Sequence, residues 1–242
     1  MRKLFVFLFI IIVFIASGDQ SFADNQIQVS KINNAAGRKI ALEKMSSIFP
    51  KSIVLDVPLI NQMDSPRLYN GCEVTSLAML LNYVGVNVTK NELAAKVKKV
   101  PLDYGNGLKG NPNAGFVGDM ENGPGLSVFN GPINDLAKEY AGDRVENLTN
   151  SPFQDLLKKV AQGHPVWIIT TTTFTPPSFQ VWNTPQGKVN ITLQGHSVVI
   201  TGYDDQYIYI NDPYGYKNRK VEREIFIETW EKMGSQAITI EN

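Results

Sequence analysis

The chain has 242 residues, with 23 Lys and Arg side chains against 23 Asp and Glu side chains and a formal net charge of zero. This balance, without any basic block, excludes the basic surface that nucleic-acid binding needs, so we expect no nucleic-acid partner. One cysteine and two histidines exclude an intramolecular disulfide and argue against a zinc site. No phosphate-binding or dinucleotide motif is present, so we expect no metal and no cofactor.

The first 23 residues have the pattern of a secretory signal peptide. Arg2 and Lys3 supply positive charge, and an apolar run of 12 residues follows at 4–15. A membrane-spanning helix needs roughly 18 to 20 apolar residues, so a retained anchor is the weaker interpretation and we expect no stable span after cleavage. Small residues predict cleavage after Ala23, with 16–18 as the alternative position. The mature protein is therefore expected to be secreted or held in the cell envelope.

The rest of the chain divides into a short polar stretch and one long domain. Residues 24–50 are expected to form an N-terminal extension or linker, with one short amphipathic helix at 40–48. Whether this stretch acts as a pro-segment is left open. Residues 51–242 are long enough for a sizeable core, and we expect one domain with two lobes that share a cleft.

Helical periodicity dominates the first half of this domain. Apolar spacing predicts a helix from Cys72 to the stop signal Gly85, and a capping box at 89–92 predicts a second helix. Further helices are predicted at 133–140 and 151–163. The segment between, 103–131, is rich in Gly, Asn and Pro and reads as a long loop. Such loops are often functional, so we expect it to border a substrate cleft; a disordered insertion is the alternative.

Short β-rich runs dominate the second half, after one early run at 53–58. They lie at 166–169, 189–193, 197–201, 207–211 and 237–240, with a hairpin turn at Asp204–Asp205 and a last helix at 221–233. Connections too short for crossover helices predict an antiparallel arrangement. The expected fold class is therefore α+β, with an N-terminal helical lobe packed on a C-terminal antiparallel β-sheet and the site between them.

Four polar residues fit the requirements of thiol acyl transfer. Cys72 opens a helix, where free N–H groups and the helix dipole favour a thiolate nucleophile. His196 starts a strand and is a better candidate base than His164, a connector residue. Asp212 ends the next strand and can orient the imidazole, while Gln62 can donate to an oxyanion. Taken singly, each has a structural alternative: a buried apolar cysteine, a satisfied histidine, a turn aspartate or an exposed loop glutamine.

With their flanking motifs, these residues resemble the peptidase C39-like family, which is related to papain-type cysteine peptidases. The resemblance covers about Val57 to Ile240, most of the mature chain. It rests on these segments, in chain order: Val57-Pro58-Leu59-Ile60-Asn61-Gln62, Gly71-Cys72-Glu73-Val74-Thr75-Ser76-Leu77-Ala78-Met79, Gly110-Asn111-Pro112, Gly115-Phe116-Val117-Gly118, Gly195-His196-Ser197-Val198-Val199, Gly202-Tyr203-Asp204-Asp205 and Asn211-Asp212-Pro213.

The resemblance implies a papain-like fold and amide hydrolysis through an acyl-enzyme. It implies that Cys72 is the nucleophile, His196 the general base and later acid, and Asp212 its orienter. Gln62 and the Cys72 backbone N–H are implied to form the oxyanion hole, although Gln62 stands ten residues before Cys72, a longer gap than papain-type enzymes generally have. We expect the Cys72 sulfur and an imidazole nitrogen within about 4 Å, with Asp212 at the other nitrogen.

The expected function is a secreted or cell-surface cysteine peptidase with a peptide or protein substrate. Two alternatives stay open: a cell-wall peptide amidase with the same triad, and a non-catalytic peptide-binding protein on a hydrolase scaffold. The peptidases of this kind that remove double-glycine leaders from bacteriocins are usually carried on ABC transporters. This chain has no transporter spans and no nucleotide-binding motif, and its export signal argues against leader processing as the main role.

Overall fold

The computed structural model describes residues 50–241. The predicted signal segment, its cleavage site and the amphipathic helix at 40–48 lie outside the described residues. Within residues 50–241, no helix combines the length and the apolar character that a membrane crossing requires.

The α-helices of the described residues fall where the hydrophobic periodicity predicts them. They are α1 (Cys72–Tyr83), α2 (Lys90–Lys96), α3 (Asn130–Ala141), α4 (Phe153–Ala161) and α5 (Arg223–Lys232). The predicted stop after α1 is confirmed, since Gly85 has a φ of 81°, a conformation that favours glycine. The predicted capping box is also present: the Thr89 hydroxyl accepts from the Glu92 N–H, and the Glu92 carboxylate accepts from the Thr89 N–H.

The strands form one large antiparallel sheet and three small two-stranded sheets. In chain order they are β1 (Ile53–Val54), β2 (Lys99–Val100), β3 (Asp103–Gly105), β4 (Leu108–Lys109), β5 (Phe116–Val117), β6 (Val145–Asn147), β7 (Val166–Thr171), β8 (Gln180–Thr184), β9 (Gly187–Ile191), β10 (Gly195–Tyr203), β11 (Tyr207–Asp212), β12 (Tyr216–Glu222) and β13 (Ala237–Ile240). The large sheet has seven strands in the order β12-β11-β10-β7-β13-β6, and β1 pairs with β10. The predicted antiparallel α+β fold is confirmed.

Several strands differ from the sequence-based expectation, which did not include β2 to β6 or β8. β12 was not predicted, because its sequence is mostly polar; it lies at the edge of the sheet, where charged side chains remain in water. The strand predicted at 189–193 is β9, which pairs with β8 in a separate hairpin and does not join the large sheet.

Helix α1 packs against β10 and β7 and is buried over most of its length. Its large apolar side chains, among them Leu77 and Leu81, are fully buried, and each such side chain contributes roughly 1.5–3 kcal/mol to the folded state. Two polar contacts add to this packing: the Trp167 indole N–H donates to the Glu73 carbonyl at 3.0 Å, and the Ser76 hydroxyl donates to the Ser197 carbonyl at 3.1 Å. The packing places the N-terminus of α1 beside the beginning of β10.

The long segment 103–131 contains the short strands β3, β4 and β5 and is otherwise irregular until α3 begins at Asn130. Backbone hydrogen bonds hold it in place, including Leu126 N–H to the Val117 carbonyl (2.9 Å) and Val117 N–H to the Ser127 carbonyl (3.0 Å). Gly118 allows the chain to fold back on itself here. Its φ of 88° favours glycine, and an added Cβ would lie only 2.4 Å from the Pro124 carbonyl oxygen. The segment is therefore a hydrogen-bonded loop.

Candidate active site

Cys72 is the first residue of α1, as the sequence predicts. The preceding Gly71 provides no side-chain cap, so backbone N–H groups of the first turn are left for other acceptors. Gly71 is required here because an added Cβ would lie 2.4 Å from the Cβ of the fully buried Leu68. The local sequence therefore brings the thiol to the helix terminus by a close backbone turn.

The thiol environment is less favourable to a thiolate than the helix terminus alone suggests. Cys72 is only 8% exposed. Burial raises the pKa of the Cys72 thiol well above its usual range, and the charge and hydrogen bonding of Glu73 raise it further. The Ser197 backbone N–H, at the sulfur, acts in the opposite direction. Burial and Glu73 therefore favour the neutral thiol over the thiolate, and a base would assist its activation.

His196 and Asp212 form a buried pair on neighbouring strands. His196 is the second residue of β10, Asp212 is the last residue of β11, and each is 1% exposed. The Nε2 atom of His196 lies 2.9 Å from Asp212 Oδ1. The register of β10 and β11 shifts between Ile200 and Gly202, and that of β11 and β12 shifts between Ile210 and Asp212. The second irregularity includes Asp212 itself, and β-bulges commonly redirect side chains.

Asp212 is ionised by the groups around it. Burial acts to raise its pKa, but the hydrogen bond and charge of His196, the Tyr214 backbone N–H and the Arg219 guanidinium together lower the pKa of Asp212 below its ordinary value. Tyr214 N–H donates to Oδ1 at 3.0 Å, and Arg219 Nη1 donates to Oδ2 at 3.1 Å. Because an ionised carboxylate can only accept, Nε2 of His196 carries the hydrogen. With that hydrogen on Nε2, Nδ1 is the ring nitrogen that can accept a proton.

Nδ1 of His196 is buried and has no hydrogen-bond partner among the described residues. The Tyr214 ring stacks on the imidazole with a centroid distance of 5.0 Å and an interplanar angle of 16°, and Phe174 meets the ring edge-on at 6.4 Å. The charge of Cys72 contributes, after burial, to raising the pKa of Tyr214. This ring therefore covers one face of the buried imidazole.

The thiol and the imidazole share one neighbour, the backbone at Ser197. Its N–H acts on the Cys72 sulfur, and Ser197 directly follows His196 in β10. The described structure contains no hydrogen bond from the thiol to Nδ1. The expected sulfur–nitrogen contact of about 4 Å thus stays a prediction for the reacting state. The Asp212 position at the other ring nitrogen is as expected.

Gln62 lies beside this pair but uses its amide hydrogens elsewhere. Its backbone N–H donates to the Pro213 carbonyl at 2.8 Å, next to Asp212. Its Nε2 donates to the carbonyls of Leu68 at 3.1 Å and Tyr69 at 3.0 Å, while Oε1 is buried without a partner among the described residues. In this conformation the amide fixes the segment before Cys72. An oxyanion-binding role requires the amide to release one of these carbonyls and remains a prediction.

A cavity of about 350 Å³ lies at the beginning of β10, and none of Cys72, His196, Asp212 and Gln62 lines it. Its lining includes Gly195, next to His196, and Ser127, whose hydroxyl donates to Glu73 at 2.6 Å. Other lining residues come from the long loop and from the β8–β9 hairpin, and Lys232 is the ionisable side chain among them. The loop thus lines part of this cavity, and its role beside a substrate cleft stays a prediction.

The sequence did not single out three side chains around this site. Glu73 could have been found from the sequence, because it is a charged residue within an otherwise apolar or small-residue run of a buried helix. Arg219 lies on β12, the edge strand that the pattern missed. Ser127 carries no signal, because its contact with Glu73 joins residues 54 positions apart. Among the described residues, no three His, Cys, Asp or Glu side chains are grouped as a metal site.

Comparison with known proteins gives consistent relatives. The model of the Peptidase C39-like family matches residues 54–238. The uncharacterized protein YvpB of Bacillus subtilis (strain 168) is 60% identical over 188 residues, covering 77% of this chain and 75% of that protein. The crystal structure of a Bacillus anthracis protein assigned as a C39-like peptidase is 43% identical, with a TM-score of 0.76, and the match covers 80% of this chain and 98% of that one.

A further match is to the cysteine protease CMS1MS2 of Carica candamarcensis, whose structure was solved in complex with E-64. It has 15% identity and a TM-score of 0.42, over 80% of this chain and 99% of that one.

Proposed function

Because this chain belongs to the Peptidase C39-like family, we propose that it is a cysteine peptidase that hydrolyses peptide bonds with Cys72, His196 and Asp212. The observation that supports the proposal most is the buried His196–Asp212 pair, whose Nδ1 has no partner among the described residues and whose strand continues at Ser197, the residue with its N–H at the Cys72 sulfur. Asp212 holds the ring in the tautomer that can accept a proton from the thiol.

In the proposed reaction, Nδ1 of His196 takes the thiol proton as the Cys72 sulfur attacks the substrate carbonyl carbon. A carbon–sulfur bond forms, and the carbonyl electron pair moves to oxygen. The imidazolium then gives its proton to the leaving amine while the carbon–nitrogen bond breaks, which leaves a thioester. Water attacks the thioester with His196 again as the base, and the sulfur leaves with the returned proton. General-base removal suits this site because burial and Glu73 favour the neutral thiol.

The oxyanion has one evident donor in this scheme. The Cys72 backbone N–H lies in the first turn of α1, where N–H groups lack intrahelical acceptors. Gln62 supplies the second donor once its Nε2 releases Leu68 or Tyr69. We therefore assign Gln62 a role that depends on movement of its side chain.

The proposed location is the cell surface or the medium, since residues 1–23 have the pattern of an export signal. The proposed substrate is a peptide or protein. N-terminal sequencing of the protein recovered outside the cell tests the location, with Asp24 expected as the first residue. A protein that stays inside the cell with Met1 in place would refute it.

Peptide cleavage tests the reaction. The purified protein is incubated with a mixed peptide library, and separately with a cell-wall sacculus, and the products are analysed by mass spectrometry. We expect new peptide termini with the wild type and none with the Cys72→Ser or His196→Ala variants. Products from the sacculus alone would favour the amidase alternative. Binding without any cleavage would favour the binding protein.

A further inference from the structure

Glu73 is a buried carboxyl group that the proposed mechanism does not use. It directly follows the nucleophile in α1 and is 1% exposed. Its Oε1 accepts two hydrogen bonds, from the Ser127 hydroxyl at 2.6 Å and from the Val128 backbone N–H at 3.2 Å. Both donors belong to the loop segment 126–128, part of which lines the cavity. The carboxyl group thus connects the nucleophile helix to a wall of the cleft.

The second oxygen of this carboxyl group is unusual. Oε2 is buried and has no hydrogen-bond partner among the described residues. No described Lys or Arg forms an ion pair with Glu73. A buried carboxylate without a cation is costly, and a partly satisfied one in a native protein usually indicates a specific role. Burial raises the pKa of Glu73, while the hydrogen bonds from Ser127 and Val128 oppose that rise.

The surrounding elements place two other ionisable groups near Glu73. Cys72 is its neighbour in the first turn of the same helix, and each of the two side chains affects the pKa of the other. Tyr214, in the turn after β11, senses the charge of both. His196 on β10 stacks on Tyr214, whereas β7 contributes the uncharged Trp167. Among these ionisable groups, the Cys72 thiol is the one that Glu73 follows directly in the chain.

We propose that Glu73 is a positioning residue of the active site, whose carboxyl group fixes the cleft wall through Oε1 and places a charge or a proton beside the Cys72 thiol. This inference rests on the proposed function. When Glu73 is ionised, its charge keeps the thiol protonated until His196 removes the proton. When Glu73 is protonated, the repulsion is absent and its O–H can donate to the thiolate. Glu73 therefore sets the pH range in which the nucleophile reacts.

The test is the pH dependence of iodoacetamide alkylation, and Cys72 is the only cysteine that can be labelled. Glu73→Gln keeps an acceptor for Ser127 and Val128 but removes the charge. We expect this variant to label about tenfold faster or more at neutral pH, with its pH midpoint moved down, because one pKa unit is tenfold in thiolate. The exposed Glu228→Gln on α5 makes the same charge change and should retain the wild-type profile.

A second variant guards against a folding defect in Glu73→Gln. Ser127→Ala leaves the carboxyl group in place but removes a donor to Oε1, which disfavours the ionised form. In the Ser127→Ala variant, the change in labelling rate that accompanies ionisation of Glu73 should therefore occur at a higher pH than in the wild type. An unchanged profile in both variants would overturn the proposal. If wild-type labelling is faster than that of His196→Ala but Glu73→Gln behaves as wild type, only the Glu73 inference fails; equal, slow labelling with and without His196 would instead refute the proposed function.

Discussion

At the scale of single residues, Asp212 decides which nitrogen of His196 accepts a proton. Asp212→Asn should lower kcat by about 100- to 10,000-fold with little change in KM, because an asparagine amide can donate to the ring and stabilise the wrong tautomer. The matched control is Asp205→Asn, the same change in the exposed hairpin turn. A kcat that stays within a few-fold of the wild type in both variants would remove Asp212 from the mechanism. Steady-state kinetics with a cleaved peptide measures the effect.

The contribution of Asp212 to the free energy of unfolding should depend on pH. The pKa of Asp212 in the folded protein is below its ordinary value of 3.8. The ionised carboxylate therefore stabilises the fold above that value, and this contribution is lost as the pH falls through the lower, folded-state pKa. The difference in unfolding free energy between the wild type and Asp212→Asn should shrink below pH ~4. Urea denaturation at several pH values measures it, and a difference that grows in acid would contradict the assignment.

The positions of the site residues could be predicted from the sequence better than the protonation of Cys72. Two predicted strands joined by a short turn separate His196 from Asp212. This pattern predicts that one hairpin brings the two side chains together. The sequence also suggested a thiolate at Cys72, since a helix start favours one. Burial and the neighbouring Glu73 reverse that effect in the resting protein. Both depend on packing between distant segments, which spacing along the chain does not reveal.

At the scale of elements, the turn that begins α1 controls the approach of the nucleophile. Gly71→Ala should destabilise the protein by about 1–3 kcal/mol, because its Cβ would lie 2.4 Å from the Leu68 Cβ. Displacement of Leu68 would also disturb the carbonyls that hold Gln62. Thermal and urea unfolding measure the loss. Gly163→Ala, at a turn with no atom within 4 Å of an added Cβ but with a φ of 93°, separates backbone strain from steric overlap. Equal stability of Gly71→Ala and the wild type would contradict this account.

Helices were more predictable than strands for a physical reason. The apolar spacing of α1 and the capping box of α2 are local signals, and both are present in the structure. Strand β12 has no comparable signal, because a solvated edge strand is mostly polar. Arg219, which contacts Asp212, was missed along with its strand. The separate β8–β9 hairpin was only half predicted, since an isolated strand pattern does not specify its partner.

At the scale of the whole molecule, the cavity of about 350 Å³ joins the loop, the hairpin and the sheet beside the site. Asn190→Trp, on the exposed side of β9, should fill part of it. We expect KM for peptide substrates to rise several-fold while iodoacetamide labelling of Cys72 is unchanged, because the small reagent does not need the cavity. Asn183→Trp, on β8 and outside the cavity lining, is the matched control. Equal KM values for the two variants would show that substrate does not occupy this cavity.

The overall architecture could be anticipated, and so could the place of the long loop beside a cavity, but the contact that fixes the loop could not. Short connections between β-rich runs determine antiparallel pairing, and this gave the α+β fold with its helical lobe on a sheet. The cleft wall depends on Glu73, which holds Ser127 from 54 positions away. No pattern in the sequence fixes such a contact, because it arises only when the loop folds back on the nucleophile helix.

The central claim is that His196 activates Cys72, and the rate of iodoacetamide labelling at pH ~6 tests it most directly. Three proteins are compared: the wild type, His196→Ala, and His164→Ala as the control for loss of the other histidine. The account predicts that the wild type and His164→Ala label at least about tenfold faster than His196→Ala, since a thiol without a base has a pKa of about 8.5 or above. Equal, slow labelling of all three would show that Cys72 is a structural residue and would contradict the peptidase mechanism.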